Sequence, residues 1–139
     1  MSELAYEDIK VGDEASLTRT ITEVHIVNYA GLTGDHNPVH VDAVHAEQSM
    51  FGERIAHGML VAGLISAVLG TQLPGPNSIY LGQDLKFTAP VKIGDTVKVV
   101  VTVLEKRDDK RIIKLRTTAS NQRGEPVIEG TAVVKKIGR

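Results

Sequence analysis

The feature that most constrains the fold is the apolar stretch over residues 57–70, which reads HGMLVAGLISAVLG. Its only polar side chains are those of His57 and Ser66. A helix that is apolar on every side is normally buried. The stretch is shorter than the ~20 apolar residues that cross a bilayer, so protein should surround it. We therefore expect a central helix covered by the strand-like sequence between Ser78 and Lys136.

The start of this expected helix lacks the usual capping residues. The first amide N–H groups of a helix have no partner inside it, and Ser, Thr, Asp or Asn normally caps them. Residues 54–57 are Arg, Ile, Ala and His. These amides are therefore available to a ligand, which Gly58 would allow to approach the backbone closely, although water or a distant side chain would also satisfy them.

Composition limits the classes of function. A chain of 139 residues predicts one domain, residues 1–139. Lys and Arg number 16 against 17 Asp and Glu, so no basic field attracts nucleic acid or an acidic membrane. There is no cysteine, and the opening MSELAYEDIK has acids where a signal peptide needs an apolar run. We expect a cytoplasmic protein without nucleic-acid or membrane partners.

The first half of the chain predicts a strand, a helix and a loop. Alternating apolar residues predict a strand over residues 14–21. A helix should begin after Thr22 and end at Gly34. Pro38 then predicts a loop over residues 34–40.

The next segment is expected to lead into the apolar helix. Asp42 can cap a short helix that runs to about Ser49. Residues 50–56 have no strong periodicity, which predicts an irregular arm.

The second half of the chain predicts four more strands separated by turns. Apolar residues alternate over residues 78–88, 96–107, 111–121 and 126–136. The predicted fold class is α+β, with a five-stranded antiparallel sheet wrapped around the apolar helix.

The predicted loop holds the candidate acid–base residues. Asp35, His36 and His40 place one carboxylate and two imidazoles within six residues. Such groups can hold one water and move its protons near neutral pH. Two alternatives remain at this point. His36 and His40 have the spacing of a helical metal site, although Pro38 between them breaks that geometry, and Asp35 and Asn37 also suit a surface Asx-turn.

The sequence resembles a known family over nearly its whole length. The run from Tyr29 to Asp42, YAGLTGDHNPVHVD, resembles the hydratase-2 motif of MaoC-like (R)-specific enoyl-CoA hydratases. Residues 55–66 (IAHGMLVAGLIS) and 79–95 (IYLGQDLKFTAPVKIGD) are also similar to that family. The resemblance implies the hot-dog fold, a sheet around a central helix, and a homodimer or higher homo-oligomer with active sites near the interface.

The resemblance also implies roles for particular residues. Asp35 and His40 match the catalytic aspartate and histidine, and Asn37 matches a position that helps to hold them. The Gly58 amide matches the donor to the thioester carbonyl, and Ser66 matches a serine near the site. Plain helix packing is the alternative for Ser66. His57, which precedes Gly58, is expected to be structural, with backbone groups satisfying its imidazole.

The implied reaction is hydration of a trans-2-enoyl-CoA to the (R)-3-hydroxyacyl-CoA, and its reverse. The enzyme would be a hydro-lyase of fatty acid metabolism with no cofactor and no metal, and coenzyme A would be part of the substrate. An acyl-carrier-protein dehydratase of fatty acid synthesis is the nearest rival, followed by a hot-dog thioesterase and a noncatalytic acyl-CoA-binding module. The cations around residues 106–111 either meet coenzyme A phosphates or form a solvated turn.

Overall fold

A computed structural model describes residues 3–137 as a curved antiparallel sheet packed against one long helix. In this part of the chain the sheet has six strands: β1 Glu14–Thr20, β2 Ser78–Gln83, β3 Lys86–Phe87, β4 Thr96–Arg107, β5 Ile112–Ser120 and β6 Pro126–Lys136. The strand order is β1-β4-β5-β6-β2, and β3 also pairs with β6. The predicted α+β hot-dog architecture is confirmed.

The long central strand β4 shows why the sheet encloses a core. Val97, Val99, Val101 and Val103 occupy alternate positions and are all buried, because alternate side chains of a strand point to the same face. The helix α4, Gly58–Thr71, packs against β4, β1 and β2. The inner faces of the sheet and of α4 therefore share one aliphatic core.

The second predicted strand is broken in the structure, so the expectation of five strands is corrected to six among the described residues. The break follows β2, where the Asp84 carboxylate accepts a hydrogen bond from the Thr131 amide at 2.9 Å. A Cβ at Gly130 would lie 2.0 Å from the Asp84 carbonyl oxygen. The close approach of Asp84 to β6 thus interrupts the ladder, and glycine at 130 makes that approach possible.

The expectation that α4 is buried on every side is wrong for the single chain. Val61, Ile65 and Val68 are fully buried, whereas Met59 is 56 % exposed and Gly63 and Ser66 are also exposed. The outer face of α4 carries small and apolar residues. The exposed side of the helix therefore could not be recognised from polar residues in the sequence. None of the helices in residues 3–137 has the length and hydropathy that crossing a membrane requires.

The other helices lie between β1 and α4. They are α1 Glu23–Thr33, α2 Pro38–Val41 and α3 Ala43–Glu47, and a 3₁₀ turn at Tyr6–Asp8 precedes them all. As predicted, α1 begins after Thr22 and ends at Gly34, which adopts a left-handed conformation. Asp42 caps α3 as expected, accepting from the amides of Val44 and His45.

The prediction of a loop over residues 34–40 is wrong for residues 38–40, which are helical. Pro38 begins α2 instead of excluding a helix, because a proline at the first helical position loses no hydrogen bond and has a helical φ. The side chain of Asn37 caps α2 by accepting from the Val39 amide at 3.3 Å. The loop is therefore confined to the three residues between Gly34 and Pro38, and α2 presents His40 to the interior.

Candidate active site

A cavity of about 550 Å³ opens at the N-terminal end of α4. Asp35, His40, His57 and Gly58 line it together. The rest of its wall is mostly apolar and includes Tyr29, Phe51, Ile55, Met59, Phe87, Val91 and Ile128. The structure thus joins the predicted acid–base loop to the start of the helix, and it provides an apolar space beside them.

One ring nitrogen of His40 is engaged by the backbone. The residue is buried, and its Nδ1 lies 2.8 Å from the backbone oxygen of Ile55. A carbonyl oxygen can only accept, so Nδ1 carries the proton and donates. Nε2 is then the nitrogen of His40 that can exchange a proton with water or substrate.

Asp35 forms an Asx-turn contact and also lines the cavity. Its Oδ1 accepts from the Asn37 amide at 3.2 Å, which is an Asx-turn contact. The Asp35 amide donates a hydrogen bond to Oγ1 of Thr33 at 3.1 Å. Oδ1 therefore fixes the carboxylate, while the side chain remains exposed and lines the cavity.

His57 joins Asp35 to His40. Its Nε2 lies 2.9 Å from the backbone oxygen of Asp35, so this nitrogen donates. Its ring stacks on that of His40, with centroids 3.9 Å apart and planes inclined by 29°. The expectation that backbone groups satisfy this imidazole holds for Nε2 but not for Nδ1, which has no hydrogen-bond partner within the described residues.

The same three residues are the candidate metal ligands of the described chain. A carboxylate oxygen of Asp35 and one nitrogen each of His40 and His57 lie within 4.8 Å of one another. A tetrahedral ion needs ligands that converge from different directions, whereas stacked rings present their nitrogens side by side. Each ring donates from one nitrogen to a carbonyl, which leaves its other nitrogen open to a proton or a ligand. This arrangement suits proton transfer better than metal binding.

The arm before α4 has a role that sequence reasoning missed. Arg54 Nε donates to the His40 carbonyl at 2.7 Å, and the Ile55 amide donates to the Val39 carbonyl at 3.2 Å. The same arm supplies the Ile55 carbonyl that accepts from His40. No local periodicity marks these contacts, because they join residues about 15 positions apart. The predicted irregular arm therefore holds α2 in position through these hydrogen bonds.

Gly58 begins α4 with exposed backbone. No side chain caps the helix at His57, so within the described residues the Gly58 amide has neither a helical partner nor a cap. A Cβ at Gly58 would lie 2.8 Å from Cε1 of Phe87. Glycine therefore leaves room both for the Phe87 ring and for a ligand at the positive end of the helix dipole.

Ser66 is not brought to Asp35 and His40. It lies eight positions after Gly58, or ~12 Å along the helix axis at 1.5 Å per residue. It lines a second groove of about 390 Å³ with Met59, Gly63, Tyr80 and Leu81. Any contact of Ser66 with substrate would be far along the helix from the acid–base groups.

The cationic turn is also remote from the cavity. Lys106 Nζ donates to the carbonyls of Tyr6 and Ile9, and Arg107 pairs with Asp109. The Arg111 carbonyl accepts from Lys136, whose side chain contacts Pro74 beyond the end of α4. A helix of this length separates that end from Gly58 by ~20 Å. These contacts indicate that the turn is structural. They argue against the turn binding the coenzyme A part of a substrate that lies in the cavity of the same chain.

Known proteins resemble this chain over most of its length. An (R)-specific enoyl-CoA hydratase from Rhodospirillum rubrum is 54% identical over 93% of this chain and 89% of its own. A 3-hydroxybutyryl-CoA dehydratase from Methylorubrum extorquens is 47% identical over 95% of this chain and 83% of its own. The unliganded R-hydratase PhaJ1 from Pseudomonas aeruginosa superposes with a TM-score of 0.92 at 46% identity, covering 96% of this chain and 86% of that one. Residues 8–124 match the family described as MaoC like domain, so the chain belongs to the MaoC-like dehydratase family.

Proposed function

We propose that the protein is an (R)-specific enoyl-CoA hydratase, a hydro-lyase that adds water to a trans-2-enoyl-CoA and catalyses the reverse dehydration. The observation that carries the proposal is the convergence of the Asp35 carboxylate, His40 and the uncapped start of α4 in one cavity. The names of the two curated relatives support the reaction and the coenzyme A carrier.

The acid–base pair can share one water molecule. A water within ~2.8 Å of each partner bridges polar atoms up to ~5.6 Å apart, and one carboxylate oxygen of Asp35 lies within 4.8 Å of one ring nitrogen of His40. In the hydration direction, Asp35 accepts one proton of the water as its oxygen forms a bond with C3. Before addition Asp35 is a carboxylate and His40 carries a proton on both ring nitrogens, so Nε2 of His40 supplies the proton that C2 gains while Nδ1 stays bonded to Ile55. Return of the proton from Asp35 to His40 restores both groups, so the reaction needs no cofactor.

The start of α4 stabilises the charge that develops during addition. As the oxygen bonds to C3, the electrons of the C2=C3 double bond move toward the thioester carbonyl oxygen. The Gly58 amide, which has no side-chain cap, would donate to that oxygen, and the helix dipole would favour its negative charge. A donor of this kind typically contributes ~100-fold or more in rate.

The supporting roles of Asn37 and Ser66 follow from their positions. Asn37 acts through the loop, because its side chain caps α2 and its amide contacts Asp35. Ser66 remains a candidate contact for a more distant part of the substrate, in the groove along α4. The acyl chain would lie against the apolar wall of the cavity.

We also propose that the protein is a homodimer. The edge strand β2 and the outer face of α4 expose Met59, Ile79, Tyr80 and Leu81 between 41 and 56 %. An unpaired strand edge beside apolar side chains is a surface that a second copy can cover. Light scattering of wild type should give twice the monomer mass, Leu81→Asp should reduce it, and Val11→Asp, at an exposed apolar residue elsewhere, should not. The predicted cytoplasmic location stays a prediction.

A direct assay tests the proposed reaction. Purified protein is mixed with trans-2-enoyl-CoA substrates of several chain lengths, and loss of the conjugated-thioester absorbance is followed. Chiral analysis should find the (R)-3-hydroxyacyl product, and a thiol reagent should detect no release of free coenzyme A. Thiol release without hydration would identify a thioesterase, whereas activity only on acyl-carrier-protein thioesters would identify the rival dehydratase.

A further inference from the structure

The His57 side chain lies between the two groups proposed to carry out proton transfer. We propose that His57 is a positioning residue, which holds the Asp35 loop through Nε2 and the His40 ring through stacking, and so sets the distance between them. The proposal rests on the proposed hydratase activity. His57 itself does not need to touch the substrate.

Three contacts fix the His57 ring. Nε2 donates to the Asp35 carbonyl at 2.9 Å, one face stacks on His40 at 3.9 Å, and the Tyr29 ring lies 4.7 Å away at a tilt of 52°. The ring is 2 % exposed. It therefore has little freedom to rotate, and its position determines where the loop and the His40 ring lie.

The unpartnered Nδ1 argues against a purely structural role. Donation from Nε2 to a carbonyl places the lone pair of the neutral ring on Nδ1. This atom is buried, and no described residue forms a hydrogen bond with it. Leaving a buried polar atom unpaired costs stability, so packing alone would favour an apolar ring at this position. The contacts of the imidazole with Asp35 and His40 therefore explain a histidine at this position better than packing does.

His57 also connects both groups to the third part of the site. It is the N-cap residue of α4, and Gly58, with the proposed oxyanion donor, follows it directly. A shift of the ring would move the Asp35 carbonyl and the His40 ring relative to the start of the helix. Misplacement of reacting groups by ~1 Å can cost ~100-fold in rate, so the consequence should appear in turnover.

Three substitutions separate the contacts of His57. His57→Gln keeps an N–H donor near the position of Nε2 but loses the stacked ring. His57→Phe keeps the ring but loses the donor and removes the buried Nδ1. His57→Asn loses both the ring and the reach to the Asp35 carbonyl. His45→Gln is the matched control, because His45 is exposed on α3 and has no part in the site.

Steady-state kinetics with an enoyl-CoA, well below each thermal midpoint, test the proposal. We expect kcat to fall ~10-fold in His57→Gln and His57→Phe and ~100-fold in His57→Asn, with KM nearly unchanged and His45→Gln equal to wild type. His57→Phe should keep a thermal midpoint close to that of wild type. Unchanged kcat in His57→Asn, or losses that only follow the unfolded fraction, would overturn the proposal.

A second measurement separates failure of this proposal from failure of the proposed activity. Long-range ¹H–¹⁵N spectra of the histidine rings should show the proton on Nε2 of His57 and on Nδ1 of His40 in wild type. His57→Asn should alter the His40 signals, and His45→Gln should not. If wild type does not hydrate any enoyl-CoA, the proposed function fails, and these spectra still decide whether His57 fixes the His40 ring. Unaltered His40 signals in His57→Asn would contradict positioning.

Discussion

Nδ1 of His40 lies 2.8 Å from the backbone oxygen of Ile55, and this contact fixes which nitrogen of the imidazole faces the cavity. The acceptor belongs to the arm before α4, which also bonds to the Val39 and His40 carbonyls. The orientation of the proposed catalytic histidine therefore depends on residues of the arm as much as on α2 itself. The arm gives the first prediction.

Arg54→Ala should lower both stability and turnover. The substitution removes the charged Nε donor from the part-buried His40 carbonyl, and the loss of such a bond costs about 1–3 kcal/mol. A looser α2 should reduce kcat ~10-fold, since the geometry of His40 would relax. Urea denaturation and steady-state kinetics on the same preparation measure the two effects.

Glu23→Gln is the matched control for Arg54. Glu23 pairs with Nη1 of Arg54 at 2.8 Å, but its side chain is 56 % exposed, and such pairs contribute ~0–1 kcal/mol. The Nε bond to His40 remains in this variant. If Glu23→Gln loses as much turnover as Arg54→Ala, the ion pair and not the His40 carbonyl would explain the effect.

Gly58→Ala should lose activity through two separable causes. The new Cβ would lie 2.8 Å from the Phe87 ring, so the ring must move, and some loss of stability is expected as well as interference with the thioester. Helix propensity alone favours alanine over glycine at position 58, so the loss of stability is expected from the contact with Phe87. Thermal midpoint and kcat should both be measured.

The variant Phe87→Leu distinguishes the two causes. Phe87 is half-exposed at the short strand β3, so a smaller side chain there relieves the contact at modest cost. In the Gly58→Ala, Phe87→Leu double variant the thermal midpoint should recover, while kcat should stay low if the oxyanion donor is blocked. Recovery of both would mean that Gly58 serves packing against Phe87.

Local sequence rules predicted the elements whose signals lie within a few residues. Thr22 and Gly34 marked the ends of α1, and the alternating valines marked β4. The helix after Pro38 was missed because a proline can begin a helix as well as exclude one. The break at Asp84 was missed because it depends on Gly130, which lies 46 positions away in the sequence.

The site could be predicted only in part for the same reason. The motif placed Asp35 and His40 close together, and the missing cap at residue 57 indicated an open helix end. The roles of Arg54 and Ile55 rest on contacts with α2 that no periodicity encodes. For His57 the one available signal was a histidine where Ser, Thr, Asp or Asn usually caps a helix.

Tyr6 should make stability fall at high pH. Burial, followed by the hydrogen bond to Asp108 and the charge of that carboxylate, raises the pKa of Tyr6 from 10.0 to about 12. The unfolded chain then loses a proton near pH 10 that the folded protein keeps, so the free energy of unfolding decreases as pH rises from 10 toward 12. Below that window Tyr6 contributes no pH dependence.

Tyr6→Phe isolates this contribution from that of the lysines. Denaturant unfolding of both proteins at about pH 9 and about pH 11.5 gives the change in stability for each. The decrease should be larger in wild type than in Tyr6→Phe. Equal decreases would show that ionisation of Tyr6 is not linked to folding.

Asp35 and His40 are proposed to act as one unit on one water molecule. The most direct measurement is kcat for enoyl-CoA hydration by Asp35→Asn, His40→Ala and the double variant, with circular dichroism to confirm folding. Each single variant should lose ~100-fold or more, and the double variant should be little worse than either, because each removes a partner of the same proton transfer. Full activity in either single variant, or losses that multiply in the double variant, would contradict the account.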